Sequence, residues 1–432
     1  MREMRLSFMA AVAAAAIALT GCAGLGGAKN TPSEGAQTGS AGNNAGTPGT
    51  SAPSPSATPT AKPDPLKLKM QQMSLDEKIG QLVIVGLEGK EADNQTLDMI
   101  FKHKVGGFIL FKDNIASADQ TSKLLNTLKA ANASANAAAP LWLSVDQEGG
   151  RVNRLPAAFA AIPTNRAIGQ IGKTELSAEI GARLAEEVSG LGFNMNYAPV
   201  LDVDSNPKNP VIGDRSFGPS ADLVSRLGIA TMQGIRSGGV VPVVKHFPGH
   251  GDTSVDSHRA LPVVNKSKEE LKKLELVPFA RAIQDKAEAV MVAHILLPKL
   301  DESYPASLSK GVITDLLRGE LGYDGVVITD DMTMGAVLQN YAIGEAAVRA
   351  VQAGADIVLV AHDNEKETEV LRTLKKNVED GKLSMSRVDE SVYRILKLKQ
   401  AYKLADKPAE RLDVEAVSRR IKETLQKYTP QK

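Results

Sequence analysis

The sequence has almost no cysteine and few aromatic residues. Its single cysteine, Cys22, excludes an intramolecular disulfide and any metal centre built on several thiolates. One tryptophan and an aromatic content of 4% argue against a long polysaccharide groove lined with aromatic rings. The formal net charge is +1, from 51 basic and 50 acidic residues, so the composition predicts no nucleic-acid partner.

The first 21 residues have the organisation of a secretion signal. A short segment with two arginines precedes an apolar run from Leu6 to about Leu19, which is too short to span a bilayer comfortably. The run ends at Leu19-Thr20-Gly21-Cys22, which resembles a bacterial lipobox, whose cysteine is acylated. We therefore predict a signal peptide over residues 1–21 and a lipid on Cys22 that anchors the protein to the outside of the membrane. An ordinary cleaved signal with an incidental cysteine is the alternative.

Residues 22–65 consist mainly of Gly, Ser, Ala, Thr, Pro and Asn, with hardly a large apolar side chain. Such a segment cannot bury enough surface to offset the entropy lost on ordering, so it is predicted to be a flexible tether. Residues 66–432 are then the folded domain, and their number is ordinary for an α/β barrel with added helices.

Short apolar runs alternate with amphipathic stretches along this domain. A capping-box pattern predicts a helix that begins at Ser74, and helical patterns occupy Glu175–Leu191 and Gly344–Ala353. Eight continuous apolar runs have the composition of strands buried on both faces. Eight β–α repeats predict a (β/α)8 barrel, with an open doubly wound sheet as the alternative. The predicted strands are Leu82–Val85, Gly107–Leu110, Leu141–Val145, Asn194–Ala198, Val241–Val244, Ala289–Ala293, Val326–Thr329 and Ile357–Val360.

Polar residues follow six consecutive runs, from the third to the eighth. In a barrel the carboxyl ends of the strands meet at one face, so these side chains are expected to converge on one pocket. The residues, in chain order, are Asp146, Asp202, Lys245, His246, His294, Asp330, Asp331 and His362.

The segment Lys245–His258 contains three of the six histidines of the chain, and its glycines and proline indicate an irregular loop. A long loop of this kind at a strand end is expected to be catalytic, although a purely structural loop is possible. Asp256 lies two residues before His258 and could hold the imidazole as a general acid near neutral pH. A zinc site is the competing interpretation, but the spacing matches no helical zinc signature. We therefore predict neither metal nor cofactor.

Two further motifs supply candidate residues. Asp330, at the end of the seventh run, has the position expected of a barrel nucleophile, although either it or Asp331 could instead cap a helix. The motif from Asp146 to Arg154 has paired glycines that allow close approach to a ligand. Its first carboxylate could accept hydrogen bonds from two sugar hydroxyls, and Arg154 is a second candidate contact. Arg151 could equally pair with an acidic neighbour.

A fourth motif, Gly213–Gly218, follows the fourth run. Its arginine, Arg215, could reach the pocket, or it could form a salt bridge within a surface turn.

Together these residues resemble glycoside hydrolase family 3, in its β-N-acetylglucosaminidase branch, from Ser74 to about Leu404. The segment Lys245–His258 is the most specific part, since it looks like the K-H-F-P-G-H-G loop of that branch ending in D-S-H. The resemblance implies a (β/α)8 barrel and a two-step retaining mechanism. By this resemblance Asp330 is the nucleophile, and Asp256 with His258 forms the acid/base pair.

The resemblance also implies how the sugar is held and what it is. Lys245, His246, Asp146 and Arg215 would bind the terminal sugar, and His294 is a further candidate. The expected substrate is terminal β-linked N-acetylglucosamine in peptidoglycan fragments, cleaved by a monomeric enzyme. Long family members carry a further α/β domain, which is not expected after the barrel here.

Four other functions stay open from the sequence. A β-glucosidase of the same family is disfavoured by the D-S-H ending. A phosphorylase is compatible with a histidine acid/base, because no carboxylate there would repel phosphate. A sugar-binding lipoprotein without catalysis and a metal-dependent hydrolase are the other two.

Overall fold

The computed structural model describes residues 64–428. The predicted signal peptide, Cys22 and nearly all of the predicted tether lie outside the described residues. Among residues 64–428, no helix combines the length and the apolar character needed to cross a membrane.

Parallel strands close into the predicted barrel. In chain order the strands of the described chain are β1 Val83–Val85, β2 Gly107–Leu110, β3 Trp142–Val145, β4 Met195–Asn196, β5 Val241–Phe247, β6 Ala289–Val292, β7 Leu296–Leu297, β8 Asp301–Pro305, β9 Val326–Asp331 and β10 Ile357–Val360. Around the barrel the order is β1-β10-β9-β6-β5-β4-β3-β2, so each barrel strand pairs with its sequence neighbours and β10 closes on β1. The antiparallel pair β7–β8 is an insertion after β6. The closed (β/α)8 fold is thereby confirmed, and the open sheet is excluded.

Helices surround the barrel. They are α1 Pro65–Gln72, α2 Leu75–Gln81, α3 Asn94–Phe101, α4 Ala118–Ser134, α5 Asn165–Ile171, α6 Thr174–Leu191, α7 Ala221–Ser237, α8 Lys268–Lys273, α9 Leu276–Gln284, α10 Gly335–Leu338, α11 Ile343–Ala353, α12 Asn364–Glu379, α13 Met385–Ala401 and α14 Val414–Tyr428. A π-helix, Gly311–Glu320, lies between β8 and β9. The predicted capping box is present: the Ser74 hydroxyl accepts from the Glu77 amide, and the Glu77 carboxylate accepts from the Ser74 amide at 2.8 Å.

The strands β4 and β5 differ most in length from the prediction, because their hydrogen-bond partners differ. β4 is shorter, since Pro199 has no amide to donate and the Ala198 amide bonds to Asn196 O. β5 is longer, since Lys245 donates to Pro199 O and accepts from the Leu201 amide. Lys245 and His246 therefore lie within β5 rather than after it. In the same way Asp330 and Asp331 lie within β9.

Helix α13 crosses the amino-terminal end of the barrel. Near its start, Arg387 donates to the carboxylate of Asp356, the residue before β10. Near its end, the Lys399 ammonium donates to Gly106 O and Pro140 O, just before β2 and β3. The middle of α13 carries Tyr393, whose hydroxyl donates to Asp64. The helix thus covers the barrel end remote from the polar residues that follow the strands.

Candidate active site

A cavity of about 440 Å³ lies at the carboxyl end of the barrel. The strands deliver the predicted residues to it because their carboxyl ends meet there. Its wall includes most of the residues singled out in the sequence, namely Asp146, Arg154, Arg215, Lys245, His246, His258, Asp330, Asp331 and His362.

A buried ionic network forms one side of the cavity. The Lys245 ammonium, whose side chain is 2% exposed, pairs with Asp146 and lies 2.7 Å from Glu148 Oε1. Arg215 binds the same Glu148 through two hydrogen bonds of 2.7 and 3.0 Å. Burial raises the pKa of Glu148, but the charges of Arg215 and Lys245 outweigh it and hold that pKa far below the ordinary value. Glu148 is therefore ionised and keeps both cations in place.

Sequence reasoning missed Glu148 as a functional residue. It lies two residues after Asp146, in the motif Asp146-Gln147-Glu148. Asp146 and Glu148 are two positions apart, and in an extended segment this spacing puts both carboxylates on the same side. That spacing could have identified Glu148.

His246 is oriented by two charged neighbours. Its Nδ1 lies 2.6 Å from Asp202 Oδ2, and Arg215 Nη2 lies 3.3 Å from its Nε2. Asp202 accepts from Nδ1, and the Arg215 guanidinium, which can only donate, faces Nε2. Contacts at both ring nitrogens thus fix the orientation of His246 in the cavity wall.

The two adjacent aspartates of β9 have different surroundings. Both carboxylate oxygens of Asp331 are hydrogen-bonded within the protein. Oδ1 accepts from the amides of Thr333 and Ala361 at 2.9 Å each, and Oδ2 accepts from the Thr333 hydroxyl at 2.6 Å. It fixes a turn before α10 and does not cap that helix. Asp330 accepts at Oδ1 from the Asp331 amide at 2.9 Å.

Asp330 is suited to act as a nucleophile. Burial raises its pKa, but His246, His294 and the Asp331 amide outweigh burial and bring the pKa below its ordinary value. The carboxylate is therefore ionised at neutral pH and lies against the cavity. This separation of roles between Asp330 and Asp331 agrees with the preference drawn from the sequence.

His258 and Asp256 form a pair at the rim of the cavity. His258 Nδ1 lies 2.8 Å from Asp256 Oδ1, and the His258 amide donates to the same oxygen at 2.9 Å. Burial raises the pKa of Asp256, but these two hydrogen bonds outweigh burial and lower it. The carboxylate thus stays charged and fixes the ring through Nδ1, which leaves Nε2 for proton transfer. The imidazole itself is 66% exposed.

His250 anchors the same loop inside the protein. Its Nε2 lies 3.1 Å from Ser257 Oγ, its Nδ1 lies 2.9 Å from Thr253 Oγ1, and its amide donates to Asp202 at 2.6 Å. Burial lowers the pKa of His250 to about 4, so the ring is neutral at physiological pH. A structural histidine and a rim histidine therefore coexist in one loop.

One predicted contact, that of His294, needs correction, and the contacts of Arg151 decide between its two open interpretations. His294 is fully buried and does not line the cavity: Nδ1 lies 2.6 Å from Ser307 Oγ and Nε2 lies 3.0 Å from Asp331 O. The chain enters β7 two residues after it, and the ring lies between the Ser307 hydroxyl and the carbonyl of Asp331, the last residue of β9. Arg151 pairs with Asp214 at 2.9 Å and donates to the carbonyls of Val211 and Ile212. It therefore forms a structural salt bridge with an acidic neighbour.

The opposite side of the cavity is aromatic. The guanidinium carbon of Arg154 lies 5.8 Å from the centroid of the Phe111 ring, and that ring contacts His362 at a centroid distance of 4.7 Å. Arg154 faces the cavity as predicted. Among residues 64–428, no group of three or more His, Cys, Asp or Glu side chains has an arrangement that could hold a metal ion.

Comparisons with known proteins agree with this geometry. The model of the glycosyl hydrolase family 3 N-terminal domain matches residues 74–398. A solved β-N-acetylglucosaminidase of glycoside hydrolase family 3, from Paenibacillus sp. str. FPU-7, is 44% identical with a TM-score of 0.78, and the match covers 82% of this chain and 69% of that one.

Two curated relatives are similar to the chain. Beta-hexosaminidase LpqI of Mycobacterium tuberculosis is 36% identical over 362 residues, which cover 81% of this chain and 90% of that protein. Beta-hexosaminidase A of Pseudoalteromonas piscicida is 35% identical over 324 residues, which cover 70% of this chain and 54% of that protein. The chain therefore spans about half the length of the second relative and most of the first.

Proposed function

Because the chain belongs to glycosyl hydrolase family 3, we propose that it is a retaining exo-β-N-acetylglucosaminidase that removes terminal N-acetylglucosamine from peptidoglycan fragments. One observation carries this proposal: a single cavity contains the ionised carboxylate of Asp330 and, at its rim, the Asp256–His258 pair. The names of the relatives and the solved neighbour support the N-acetylhexosaminide class.

In the first step, an oxygen of Asp330 attacks the anomeric carbon. The bond to the leaving-group oxygen breaks, and that oxygen takes the proton from Nε2 of His258. Asp256 stabilises the imidazolium before the transfer. The products are a covalent glycosyl ester on Asp330, a neutral His258 and the released aglycone.

In the second step, His258 removes a proton from a water molecule. The water oxygen attacks the anomeric carbon, the ester bond to Asp330 breaks, and the sugar leaves with its original anomeric configuration. The carboxylate and the imidazolium are restored.

The ionic side of the cavity would hold the sugar hydroxyls. Asp146 can accept from adjacent hydroxyls, whereas Lys245 and Arg215 can donate to them. Arg154 can donate from the aromatic side. Fixed charges of both signs in a confined cavity favour one sugar in one orientation, as expected for a terminal residue.

The decisive experiment compares an aryl β-N-acetylglucosaminide with the matching aryl β-glucoside. We expect the mature chain to release aryl alcohol from the first substrate alone, and Asp330→Ala to reduce that release to background. Cleavage of the glucoside alone would assign the chain to a glucosidase. A sugar 1-phosphate product formed only with added phosphate would reveal a phosphorylase, and binding without cleavage would leave a sugar-binding protein.

The role of His258 has a separate test. We expect His258→Ala to slow substrates with an alkyl or sugar leaving group by about 10²–10⁴-fold, the usual contribution of a general acid. For an activated aryl glycoside, whose leaving group needs little protonation, the rate of the first step should fall far less. Equal losses on both substrates would exclude general-acid catalysis by His258.

For the location, we propose that a lipid on Cys22 holds the enzyme on the outer face of the bacterial membrane. The support is the sequence Leu19-Thr20-Gly21-Cys22 after a short apolar run. We expect Cys22→Ser to move the protein from the membrane fraction to the soluble fraction. Persistence of the variant in the membrane fraction would exclude the lipid anchor.

A further inference from the structure

The rim loop that carries the acid/base pair is held from outside by α10. Three consecutive backbone carbonyls of the loop accept hydrogen bonds from this short helix and from Gln339, the residue that caps its carboxyl end. Ser257 O accepts from the Ala336 amide at 3.1 Å, and His258 O accepts from the Gly335 amide at 3.2 Å. Arg259 O accepts from the side-chain amide of Gln339 at 2.6 Å.

The same helix is connected to the nucleophile strand. α10 begins four residues after Asp331, whose carboxylate fixes the intervening turn through Thr333. The segment that follows Asp330 therefore also forms hydrogen bonds with the backbone on both sides of His258. Since the imidazole is 66% exposed, its position depends on its backbone and on Asp256 more than on packing.

We propose that Gln339 and Gly335 are positioning residues for the acid/base histidine: they set the distance between His258 and the nucleophile strand. This inference rests on the proposed function, in which His258 transfers the proton. Gln339 does not line the cavity; its side-chain amide reaches the loop through the backbone carbonyl of Arg259.

Gly335 is required for the close approach of the loop. A Cβ atom built on it would lie 2.7 Å from His258 O and 2.9 Å from Arg259 O. Both neighbours are backbone atoms, so the loop itself would have to move away. Its φ angle is not in the left-handed region, and the restriction is therefore one of space.

The first variant is Gln339→Ala, with Gln352→Ala as the matched control. Gln352 makes the same kind of hydrogen bond, from an exposed side-chain amide to Lys382 O at 3.0 Å, on α11. We expect Gln339→Ala to lower kcat by about three- to tenfold on a substrate with an alkyl leaving group, the effect of one hydrogen bond. On an activated aryl substrate the first step should be nearly unchanged, and the control should behave as wild type on both.

The second variant is Gly335→Ala, with Gly311→Ala as its control. Gly311 also begins a helical segment, but a Cβ there meets nothing closer than 3.4 Å. We expect Gly335→Ala to reproduce the leaving-group dependence of Gln339→Ala with a larger loss. In a His258→Ala background neither substitution should reduce the rate further, because the group that they position is gone.

Hydrogen exchange of residues 252–264 supplies a readout that does not depend on catalysis. Faster exchange there in both variants, together with the selective kinetic loss, would support the proposal. Unchanged exchange, or equal losses on both substrates, would overturn it. If the wild-type chain cleaves no glycoside while exchange still increases, the proposed function fails and the positioning role fails with it, although the contact between helix and loop is real.

Discussion

Glu148 compensates the charges of two buried cations beside the cavity. It bridges Lys245 and Arg215, and all three side chains are at most 12% exposed. Removing one member of such a network leaves charge buried without compensation, which costs about 3–5 kcal/mol. The same residue therefore contributes to stability and to the placement of groups that line the cavity.

We expect Glu148→Gln to lower the free energy of unfolding by about 3–5 kcal/mol and to raise KM. Chemical denaturation and steady-state kinetics would measure both effects. A suitable control is Glu288→Gln, which breaks another bidentate pair, with Arg236 and outside the cavity. The control should lose stability without a change in KM; a normal KM for Glu148→Gln would contradict its role beside the sugar.

The pH dependence of this contribution has a definite sign. The pKa of Glu148 is depressed in the folded protein, so the unfolded chain binds the proton more readily. Its contribution is complete above the ordinary glutamate pKa of about 4.3 and is lost as the pH falls further. Glu148→Gln should therefore flatten the acid side of the stability profile.

At the level of single residues, the sequence patterns predicted the chemical role of a side chain more accurately than its contacts in the structure. Asp330 was preferred over Asp331 from its position alone, and their hydrogen bonds agree with that preference. His294 follows a strand like the other candidates, yet its ring contacts the carbonyl of Asp331 and does not line the cavity. No periodicity in the sequence determines where a side chain points after a strand has ended.

Among the elements, the loop after β5 depends on His250 for its internal anchor. The ordinary pKa of histidine is about 6.5, and burial lowers that of His250 to about 4. Between these values the unfolded chain is protonated at this position and the folded protein is not. Stability is therefore full above about pH 6.5 and decreases as the pH falls toward 4.

We expect His250→Gln to remove most of the decrease in the free energy of unfolding between pH 6.5 and pH 4. For a histidine pKa lowered from about 6.5 to about 4, this decrease is at most about 3 kcal/mol. Thermal unfolding of both proteins from pH 4 to 7 would show it, with the difference between the two curves as the measured quantity. Parallel curves would mean that His250 is protonated in the folded loop or that the loop opens before the barrel unfolds.

Element positions could be predicted because buried parallel strands are apolar on both faces. Within the eight barrel strands, errors were confined to the strand ends, where the pairing of β4 and β5 depends on which backbone groups find partners. The pair β7–β8 was not predicted, since Asp301–Pro305 is polar and partly exposed. Such a strand has no apolar period to distinguish it from a loop.

For the whole molecule, the two ends of the barrel have different tasks. At the amino-terminal end, the fully buried carboxylate of Asp356 accepts from Arg318, Arg387 and Arg394. These contacts join the π-helix and α13 to the start of β10. They are far from the cavity and serve the fold alone.

We expect Asp356→Asn to lower the free energy of unfolding by about 3–5 kcal/mol, with kcat and KM of the folded protein unchanged. Asp324→Asn is the matched control, because it also pairs with Arg394 but its side chain is 77% exposed, and an exposed pair contributes at most about 1 kcal/mol. Equal effects of the two substitutions in denaturation experiments would contradict this account.

The number of β–α repeats predicted closure of the barrel, because eight is the size at which a parallel sheet closes around a packed core. The crossing of α13 over the barrel end could not be predicted. It depends on buried polar partners such as Lys399, which pairs with carbonyls more than 250 positions away in the sequence.

The position of Asp64 has a consequence for access. Asp64 begins α1 and bonds to Tyr393 on α13, which covers the end of the barrel remote from the cavity. The polypeptide therefore enters the barrel from its closed side. Bulky glycan can approach the open mouth without passing the point of entry, so the junction at Asp64 and the substrate do not compete for space.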